Sequence, residues 1–284
     1  MNTRKIDLYG EMNVPRGAAI GGYLHAYVPT ESTELNKKTH PAMIVCAGGA
    51  YRFLSDRESE PVALRFVVAG YCAFVLEYTV NAAFPTPLIE ACMAVAYLRE
   101  HAGEYGISED HIGVIGFSAG GNLAAMTATL FAEPEITNIM GKHAKHARPN
   151  AAVLCYPVAT LDICTHGESC AVITGGDEKL RERISPDKRV TNNSAPAFIW
   201  HTAEDDCVPV ENALRIAEAY RKARVPFALH VFEKGWHGLS LCNAAVNDQT
   251  PAEVALNHVG KWFDLALDWL DVHGFRVEVK GANA

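Results

Sequence analysis

The sequence predicts an α/β protein with a mostly parallel central sheet and helices on both faces. Short apolar runs rich in β-branched residues alternate with longer segments of helical periodicity, which is typical of repeated βαβ units. The chain has 284 residues and is 49% hydrophobic, so it can bury a full globular core. No repeat and no Gly/Ser-rich linker interrupts the alternation. We therefore expect residues 1–284 to form a single domain.

Six apolar runs predict the strands, and one polar segment interrupts their rhythm. In chain order the runs are residues 42–46, 71–80, 112–117, 151–158, 198–202 and 227–232. The segment of residues 160–193, between the fourth and fifth runs, is polar and contains eleven charged residues. We expect it to form a short, irregular, cap-like insertion that covers the functional site.

Helices are predicted between the strands. Apolar residues recur at helical spacing over residues 88–98 and 256–270, and each stripe is expected to face the core. A further helix is expected over residues 211–224. Ser55 and Glu58 have the spacing of a capping box, which predicts a helix start just after them.

Charge and cysteine usage exclude several classes of protein. The chain has 25 Lys and Arg against 33 Asp and Glu, a net charge of −8, which argues against a nucleic-acid partner. No apolar run approaches the roughly 20 residues of a membrane helix, and the amino terminus does not resemble a signal sequence. Eight cysteines without a CxxC pair indicate reduced thiols in the cytoplasm. The sequence leaves open whether copies of the chain form a homo-oligomer.

One short segment contains three residues of the types that bind metal ions. Cys164, His166 and Cys170 lie close together in the sequence. No fourth ligand is visible, and the two-residue spacing of zinc hooks is absent. We therefore expect no metal site here.

A candidate nucleophile lies between a strand and a helix. Residues 116–121 read GFSAGG, a GxSxG pattern directly after the third predicted strand and at the start of a helical segment. Glycines are needed there because the nucleophile occupies a strained turn that packs closely on both sides. The pattern in this setting predicts Ser118 as the nucleophile. The N–H group of Ala119, at the start of the helix, would face a developing oxyanion.

The sequence also offers a base and an acid in the chain order that an activated serine needs. His237 lies in a glycine-flanked loop directly after the last predicted strand. Three adjacent acids, Glu204, Asp205 and Asp206, follow the fifth predicted strand. Only one of them can orient the imidazole, and the residue types alone do not decide which.

A second source of oxyanion donors follows the first predicted strand. Residues 47–51 read AGGAY, and the two glycines would let backbone N–H groups approach a substrate carbonyl. We expect the N–H groups of Gly49, Ala50 and Ala119 to form the oxyanion hole.

Four motifs together resemble a known family. They are CAGGAYRF at residues 46–53, GFSAGGNLA at 116–124, HTAEDDCVP at 201–209 and FEKGWHGLSL at 232–241. The chain resembles the α/β-hydrolase esterases related to acetyl-xylan esterases and hormone-sensitive-lipase-like carboxylesterases. The DxxVP spacing of that family selects Asp205 as the acid. The family usually has HGGG or PGGG at the oxyanion loop, where this chain has Ala47 and Ala50 at the outer positions.

The resemblance implies an α/β-hydrolase fold and a serine carboxylic-ester hydrolase that releases a short acyl group through an acyl-enzyme. The substrate would be a small ester, often an acetylated sugar such as a xylo-oligosaccharide, and no metal or organic cofactor would be needed. Three aromatic residues beside the motifs are candidates for contact with a sugar or acyl group, although aromatic rings in such positions are also common in cores. They are Tyr51, Phe53 and Trp236.

Two other functions compete with this interpretation. An oligopeptidase-like serine peptidase would use the same three residues, but it usually carries a separate propeller domain for which this chain has no room. A non-catalytic scaffold with the same fold would be expected to lose the serine or the histidine, and both are present.

Overall fold

The computed structural model describes residues 1–30, 34, 38–246 and 258–279. The strands are β1 (Asn2–Asp7), β2 (Tyr23–Val28), β3 (Lys38–Cys46), β4 (Cys72–Glu77), β5 (Ile107–Phe117), β6 (Ala151–Cys155), β7 (Ala197–Thr202), β8 (Phe227–Phe232) and β9 (Glu278–Val279). The α-helices are α1 (Leu8–Met12), α2 (Glu60–Val68), α3 (Thr86–Glu100), α4 (Ala102–Tyr105), α5 (Ala119–Leu130), α6 (Pro134–Met140), α7 (Gly167–Thr174), α8 (Glu178–Ile184), α9 (Pro186–Arg189), α10 (Glu211–Ala223) and α11 (Trp262–Val272). Asp56–Glu58 and Gly141–His146 form 3₁₀ helices.

The central sheet has the strand order β1-β2-β4-β3-β5-β6-β7-β8 in the described part of the chain, with β9 paired to the start of β3. From β4 to β8 every neighbouring pair is parallel. Strands β1 and β2 add an antiparallel edge. The predicted mostly parallel sheet is therefore confirmed. Because parallel strands end at the same edge, the loops after β3, β5, β7 and β8 are gathered there.

The six predicted strands correspond to β3 through β8, whereas β1, β2 and β9 were not predicted. Strand β1 exposes all of its residues except Ile6, so it lacks the apolar run that marked the inner strands. Strand β1 is held in the sheet by its backbone hydrogen bonds to β2 and not by burial of apolar side chains.

Alternate residues of the strands face two separate cores. In β3, Ile44 belongs to the core that contains Leu88 of α3. Its neighbour Val45 belongs to the other core, together with Phe66 of α2 and Trp262 of α11. This alternation follows from the two-residue period of a strand, and it confirms that helices cover both faces.

The predicted helices over residues 88–98 and 211–224 are confirmed as α3 and α10. The last predicted helix is confirmed in its second half, as α11, while Leu256 lies outside the described residues. The capping box is wrong. Ser55 precedes a 3₁₀ turn and makes no side-chain capping bond, and α2 begins only at Glu60. Glu58 is buried instead, because its carboxylate has partners elsewhere in the fold.

The segment of residues 160–193 is more regular than expected. It contains α7, α8 and α9, each no longer than eight residues. The Asp177 side chain caps α8 by accepting the N–H groups of Lys179 and Leu180. Helices this short carry no extended apolar stripe, which explains why the sequence pattern missed them. Across the described residues, no helix has the length and apolar character needed to cross a bilayer.

Candidate active site

Ser118 occupies a strained turn between β5 and α5. Its backbone has φ 53° and ψ −117°, a conformation that non-glycine residues rarely adopt. A Cβ atom at Gly116 would lie 2.0 Å from the carbonyl oxygen of Gly120, and one at Gly120 would lie 2.1 Å from that of Cys46. Only glycine fits at both positions. The close packing presses the turn against the end of β3 and keeps Ser118 at the edge of the sheet.

The structure brings Ser118, His237 and Asp205 into one hydrogen-bonded chain. Ser118 Oγ lies 2.8 Å from His237 Nε2, and His237 Nδ1 lies 2.7 Å from Asp205 Oδ2. Because a carboxylate only accepts, Nδ1 carries the hydrogen and Nε2 has a free lone pair for the serine hydroxyl. The arrangement allows the imidazole to take a proton from Ser118.

Asp205 is the acid that faces His237. Its side chain is buried, and Oδ1 accepts the N–H groups of Cys207 (3.1 Å) and Val208 (2.8 Å). Burial alone would raise the pKa of Asp205, but hydrogen bonds from His201 and His237 hold that pKa well below its usual range. Asp206 is exposed, and the exposed Glu204 pairs with Lys234.

His201 is a site residue that the sequence analysis missed. It is fully buried on β7, with Nε2 2.8 Å from the carbonyl oxygen of Val208 and 3.3 Å from Asp205 Oδ2. Both neighbours accept, so Nε2 must carry the hydrogen. His201 and His237 therefore both donate to Asp205 Oδ2. The only signal in the sequence was its place four residues before Asp205.

The loop after β3 presents backbone N–H groups beside Ser118. Gly49 has φ +122° and Ala50 has φ +54°, so the loop turns through conformations that expose its N–H groups. The N–H groups of Gly49, Ala50 and Ala119 make no hydrogen bond with any other described residue. The N–H of Gly48 is different, because it donates to Glu58 Oε2.

Glu58 is a second residue whose place was not foreseen. Only 3% of it is exposed, and its carboxylate accepts the Gly48 N–H (2.8 Å) and the Tyr156 hydroxyl (2.6 Å). Burial raises the pKa of Glu58, although these two hydrogen bonds act in the opposite direction. Its spacing from Ser55 was visible in the sequence but indicated the wrong structure.

A cavity of about 530 Å³ opens in front of Ser118 and His237. Its lining includes Gly49, Ala50 and Phe53, together with His166 and Glu168 from the segment of residues 160–193. The cavity is large enough for a small ester and has both polar and aromatic walls.

The three aromatic candidates have different surroundings. Phe53 is 60% exposed and lines the cavity. Tyr51 does not meet the expectation, because it is fully buried and its hydroxyl donates to Asn122 Oδ1. Trp236 packs against the core that contains Trp262 and is not among the cavity-lining residues.

His166 and Cys170, two of the three residues of metal-binding type singled out in the sequence, make other contacts. His166 Nδ1 accepts the Ser169 N–H and so caps α7, and Cys170 Sγ lies 3.1 Å from the carbonyl oxygen of Leu161. Within the described ranges, no three His, Cys, Asp or Glu side chains are grouped as metal ligands would be.

The parallel sheet, the strained serine turn after β5 and the histidine loop after β8 together define an α/β-hydrolase fold. The BD-FAE family model matches residues 24–220, and the chain belongs to this family.

Known relatives are named as enzymes of ester and xylan chemistry. The chain is 36% identical over 214 residues to endo-1,4-beta-xylanase B of Butyrivibrio fibrisolvens, covering 71% of this chain and 33% of the xylanase. It is 28% identical over 206 residues to an acetylxylan esterase of Xylanibacter ruminicola, covering 69% of this chain and 40% of the esterase. The chain thus spans well under half the length of these two relatives.

A solved structure of similar length matches almost throughout. The acetyl ester-xyloside bifunctional hydrolase of Caldicellulosiruptor lactoaceticus superposes with a TM-score of 0.78 at 34% sequence identity. The superposition covers 93% of this chain and 98% of that protein. The likeness therefore extends over the whole hydrolase fold.

Proposed function

We propose that this chain is a serine carboxylic-ester hydrolase that cleaves short acyl esters. The observation that carries the proposal is the continuous hydrogen-bonded chain from Ser118 through His237 to Asp205, at the edge of a cavity. In this proposal Ser118 is the nucleophile, His237 is the general base and Asp205 orients the imidazole.

The reaction proceeds by two acyl transfers. His237 Nε2 takes the Ser118 proton while Oγ attacks the ester carbonyl carbon, and the carbonyl oxygen becomes an oxyanion. The N–H groups of Gly49, Ala50 and Ala119 stabilise that oxyanion. The intermediate expels the alcohol, which receives the proton from His237 and leaves an acyl-enzyme. Water then attacks the acyl-enzyme in the same way and releases the acid.

We propose acetyl groups on a sugar or xylo-oligosaccharide as the substrate. The names of the acetylxylan esterase and the acetyl ester-xyloside hydrolase support this choice. His166, Glu168 and Phe53 at the cavity offer hydrogen-bonding groups and an aromatic surface, the two features that hold a sugar. The residues of the proposed mechanism supply every proton and electron pair it needs, so we propose that no cofactor takes part.

The organisation of the chain is also part of the proposal. We propose a single domain in which residues 160–193 act as a cap, since His166 and Glu168 of this segment line the cavity. A cytoplasmic location is supported by eight cysteines that are all free, of which Cys164 and Cys207 are exposed.

Labelling with a fluorophosphonate tests the nucleophile. The probe should phosphonylate the wild-type protein at Ser118, as located by peptide mass spectrometry, and should not label Ser118→Ala. Ser108→Ala, at the other end of β5, is the matched control and should be labelled like the wild type. Hydrolysis of 4-nitrophenyl acetate and acetylated xylo-oligosaccharides should disappear only in Ser118→Ala. Unchanged hydrolysis in that variant would contradict the proposal.

A further inference from the structure

We propose that Glu58 is a positioning residue that fixes the oxyanion loop, residues 47–50, against the histidine loop, residues 235–240. The inference rests on the proposed ester hydrolysis. Glu58 takes no part in the proton transfers of that mechanism, yet it lies buried at the wall of the same cavity.

The first connection runs from Glu58 to the oxyanion loop. Glu58 Oε2 accepts the Gly48 N–H at 2.8 Å. A Cβ atom at Gly48 would lie 2.6 Å from that oxygen, so the carboxylate can approach because residue 48 is a glycine. The hydrogen bond orients the peptide plane before Gly48. The next plane, which carries the Gly49 N–H, is held at its other end because the Gly48 carbonyl oxygen accepts the Ser55 N–H at 3.0 Å. Glu58 and the turn that begins at Ser55 together hold an oxyanion donor in place.

The second connection runs from Glu58 to the histidine loop. Glu58 Oε1 lies 2.6 Å from the Tyr156 hydroxyl, and that hydroxyl lies 2.9 Å from the Ser240 nitrogen. The Ser240 N–H can only donate, so the Tyr156 hydroxyl accepts it and directs its own hydrogen to Glu58. The Tyr156 ring also packs edge-on against His237, with centroids 5.1 Å apart. The chain of contacts therefore ends beside the general base.

A third contact joins the histidine loop directly to the turn that carries Glu58. The Ser240 hydroxyl donates to the carbonyl oxygen of Arg57, the residue before Glu58, at 2.6 Å. The histidine loop is thus tied to the Asp56–Glu58 turn through both the backbone and the Glu58 side chain. Displacement of this turn would move the oxyanion donors and His237 together.

The chemistry requires a carboxylate at residue 58. Donors approach both oxygens, one from Gly48 and one from Tyr156. Glutamine offers only one acceptor oxygen, so its NH₂ group would face a donor on one side or the other. Glu58→Gln therefore breaks one of the two connections while almost preserving side-chain volume.

Thionoesters distinguish positioning of the oxyanion hole from a merely structural role. Sulfur is larger than oxygen and a weaker hydrogen-bond acceptor, so well-placed donors favour the oxygen ester strongly. Displaced donors favour it less, and the ratio of kcat/KM for the oxygen ester to that for the thionoester falls. A loss of folded protein changes both rates equally and leaves this ratio constant.

The experiment compares Glu58→Gln with Glu90→Gln, using phenyl acetate and its thionoacetate. Glu90 is the matched control, because it is a fully buried glutamate that accepts a backbone N–H from Thr79 and the Tyr9 hydroxyl, and it does not line the cavity. For Glu58→Gln we expect kcat to fall by about 10-fold or more with KM within about 3-fold, and the ratio to fall by about 5-fold. For Glu90→Gln the ratio should stay constant.

Tyr156→Phe provides a second test if Glu58→Gln does not fold. It retains the Gly48 contact but removes the tie to Ser240, so the ratio should fall by about 2-fold. An unchanged ratio in folded Glu58→Gln, or in Tyr156→Phe, would overturn the inference. If the wild type cleaves neither ester and is not labelled at Ser118, the proposed function itself has failed. If the wild type is active and only the ratios stay constant, the role of Glu58 alone is refuted.

Discussion

At the scale of single residues, the candidate site depends on side chains whose neighbours determine their roles. Three adjacent acids follow β7, and only Asp205 is buried with four donors around its two oxygens. Each oxygen is therefore committed, which holds the side chain in one orientation. His201 is held in the same way, because its Nε2–H donates to both Asp205 and Val208.

Replacing the acid should be far more damaging than replacing its neighbour. In Asp205→Asn, the amide oxygen can keep the N–H groups of Cys207 and Val208, but the NH₂ group then faces His237 Nδ1 and favours the wrong tautomer. We expect kcat to fall by about 10⁴-fold, as is typical for this change in a Ser-His-Asp triad. Steady-state hydrolysis of 4-nitrophenyl acetate measures it. Asp206→Asn should be close to wild type, and a larger loss there than in Asp205→Asn would identify Asp206 as the acid.

Asp205 should also make stability depend on pH. Its pKa is lower in the folded protein than in the unfolded chain, so its ionised form stabilises the fold above the unfolded value of about 3.9. That stabilisation is lost as pH falls toward the folded pKa. We expect the difference in free energy of unfolding between wild type and Asp205→Asn to shrink from pH 7 to pH 3, measured by urea unfolding. A difference that grows on acidification would contradict this cause.

At the scale of elements, helix α11 supports the histidine loop. The indole ring of Trp262 stacks on Trp200 of β7 with centroids 5.1 Å apart. Its N–H donates to the carbonyl oxygen of Ser240 at 2.9 Å. The helix thus holds the end of the histidine loop from the face of the sheet that carries α2, through one buried aromatic residue.

Truncating Trp262 should therefore be costly. Trp262→Ala removes a fully buried side chain, and we expect a loss of about 3–5 kcal/mol in the free energy of unfolding. Trp262→Phe keeps an aromatic ring but leaves the buried Ser240 carbonyl without this donor, so about 1–3 kcal/mol should be lost. Urea unfolding measures both. Trp269→Phe, at a half-buried position of the same helix, is the control, and an equal loss there would refute the importance of the Ser240 contact.

At the scale of the whole molecule, the segment of residues 160–193 is bound to the rest of the protein by charges. Glu168 pairs with Arg52 beside the oxyanion loop, and Asp187 pairs with Arg215 of α10. Arg183 pairs with Glu135 of α6. Single exposed ion pairs contribute only about 0–1 kcal/mol, but these contact three different parts of the fold. The segment presents charged groups near the cavity, where a lipase would present an apolar surface.

Short acyl chains should accordingly be the best substrates. Each additional methylene must find apolar surface that contributes about 0.8 kcal/mol, and the charged and polar side chains that line the cavity, such as His166 and Glu168, do not offer it. We expect kcat/KM for 4-nitrophenyl esters to be highest for acetate or propionate and to have fallen by octanoate. A series from about two to ten carbons measures this dependence. A maximum at the octanoate or a longer ester, or activation at an oil interface, would contradict it.

The sequence alone determined strands β3 to β8, the strained turn of Ser118 and the order of serine, acid and histidine. Each has a local physical cause. An inner strand is buried on both faces and is therefore continuously apolar, as β6 is. The turn needs glycine at residues 116 and 120 because backbone atoms lie about 2 Å from where a Cβ would be. These requirements concern residues that are close together in the sequence, so the sequence alone reveals them.

Only the tertiary structure decided which side chains surround the site. Glu58 has the spacing of a capping residue, yet its partner Tyr156 is 98 residues away in the sequence. Tyr51 and Phe53 are two residues apart, and one is fully buried while the other is 60% exposed. His201 obtains its hydrogen-bond partners only because the loop after β7 folds back and places Val208 and Asp205 against it. The energy of a buried polar group depends on partners brought together by the fold, and those partners have no fixed distance along the chain.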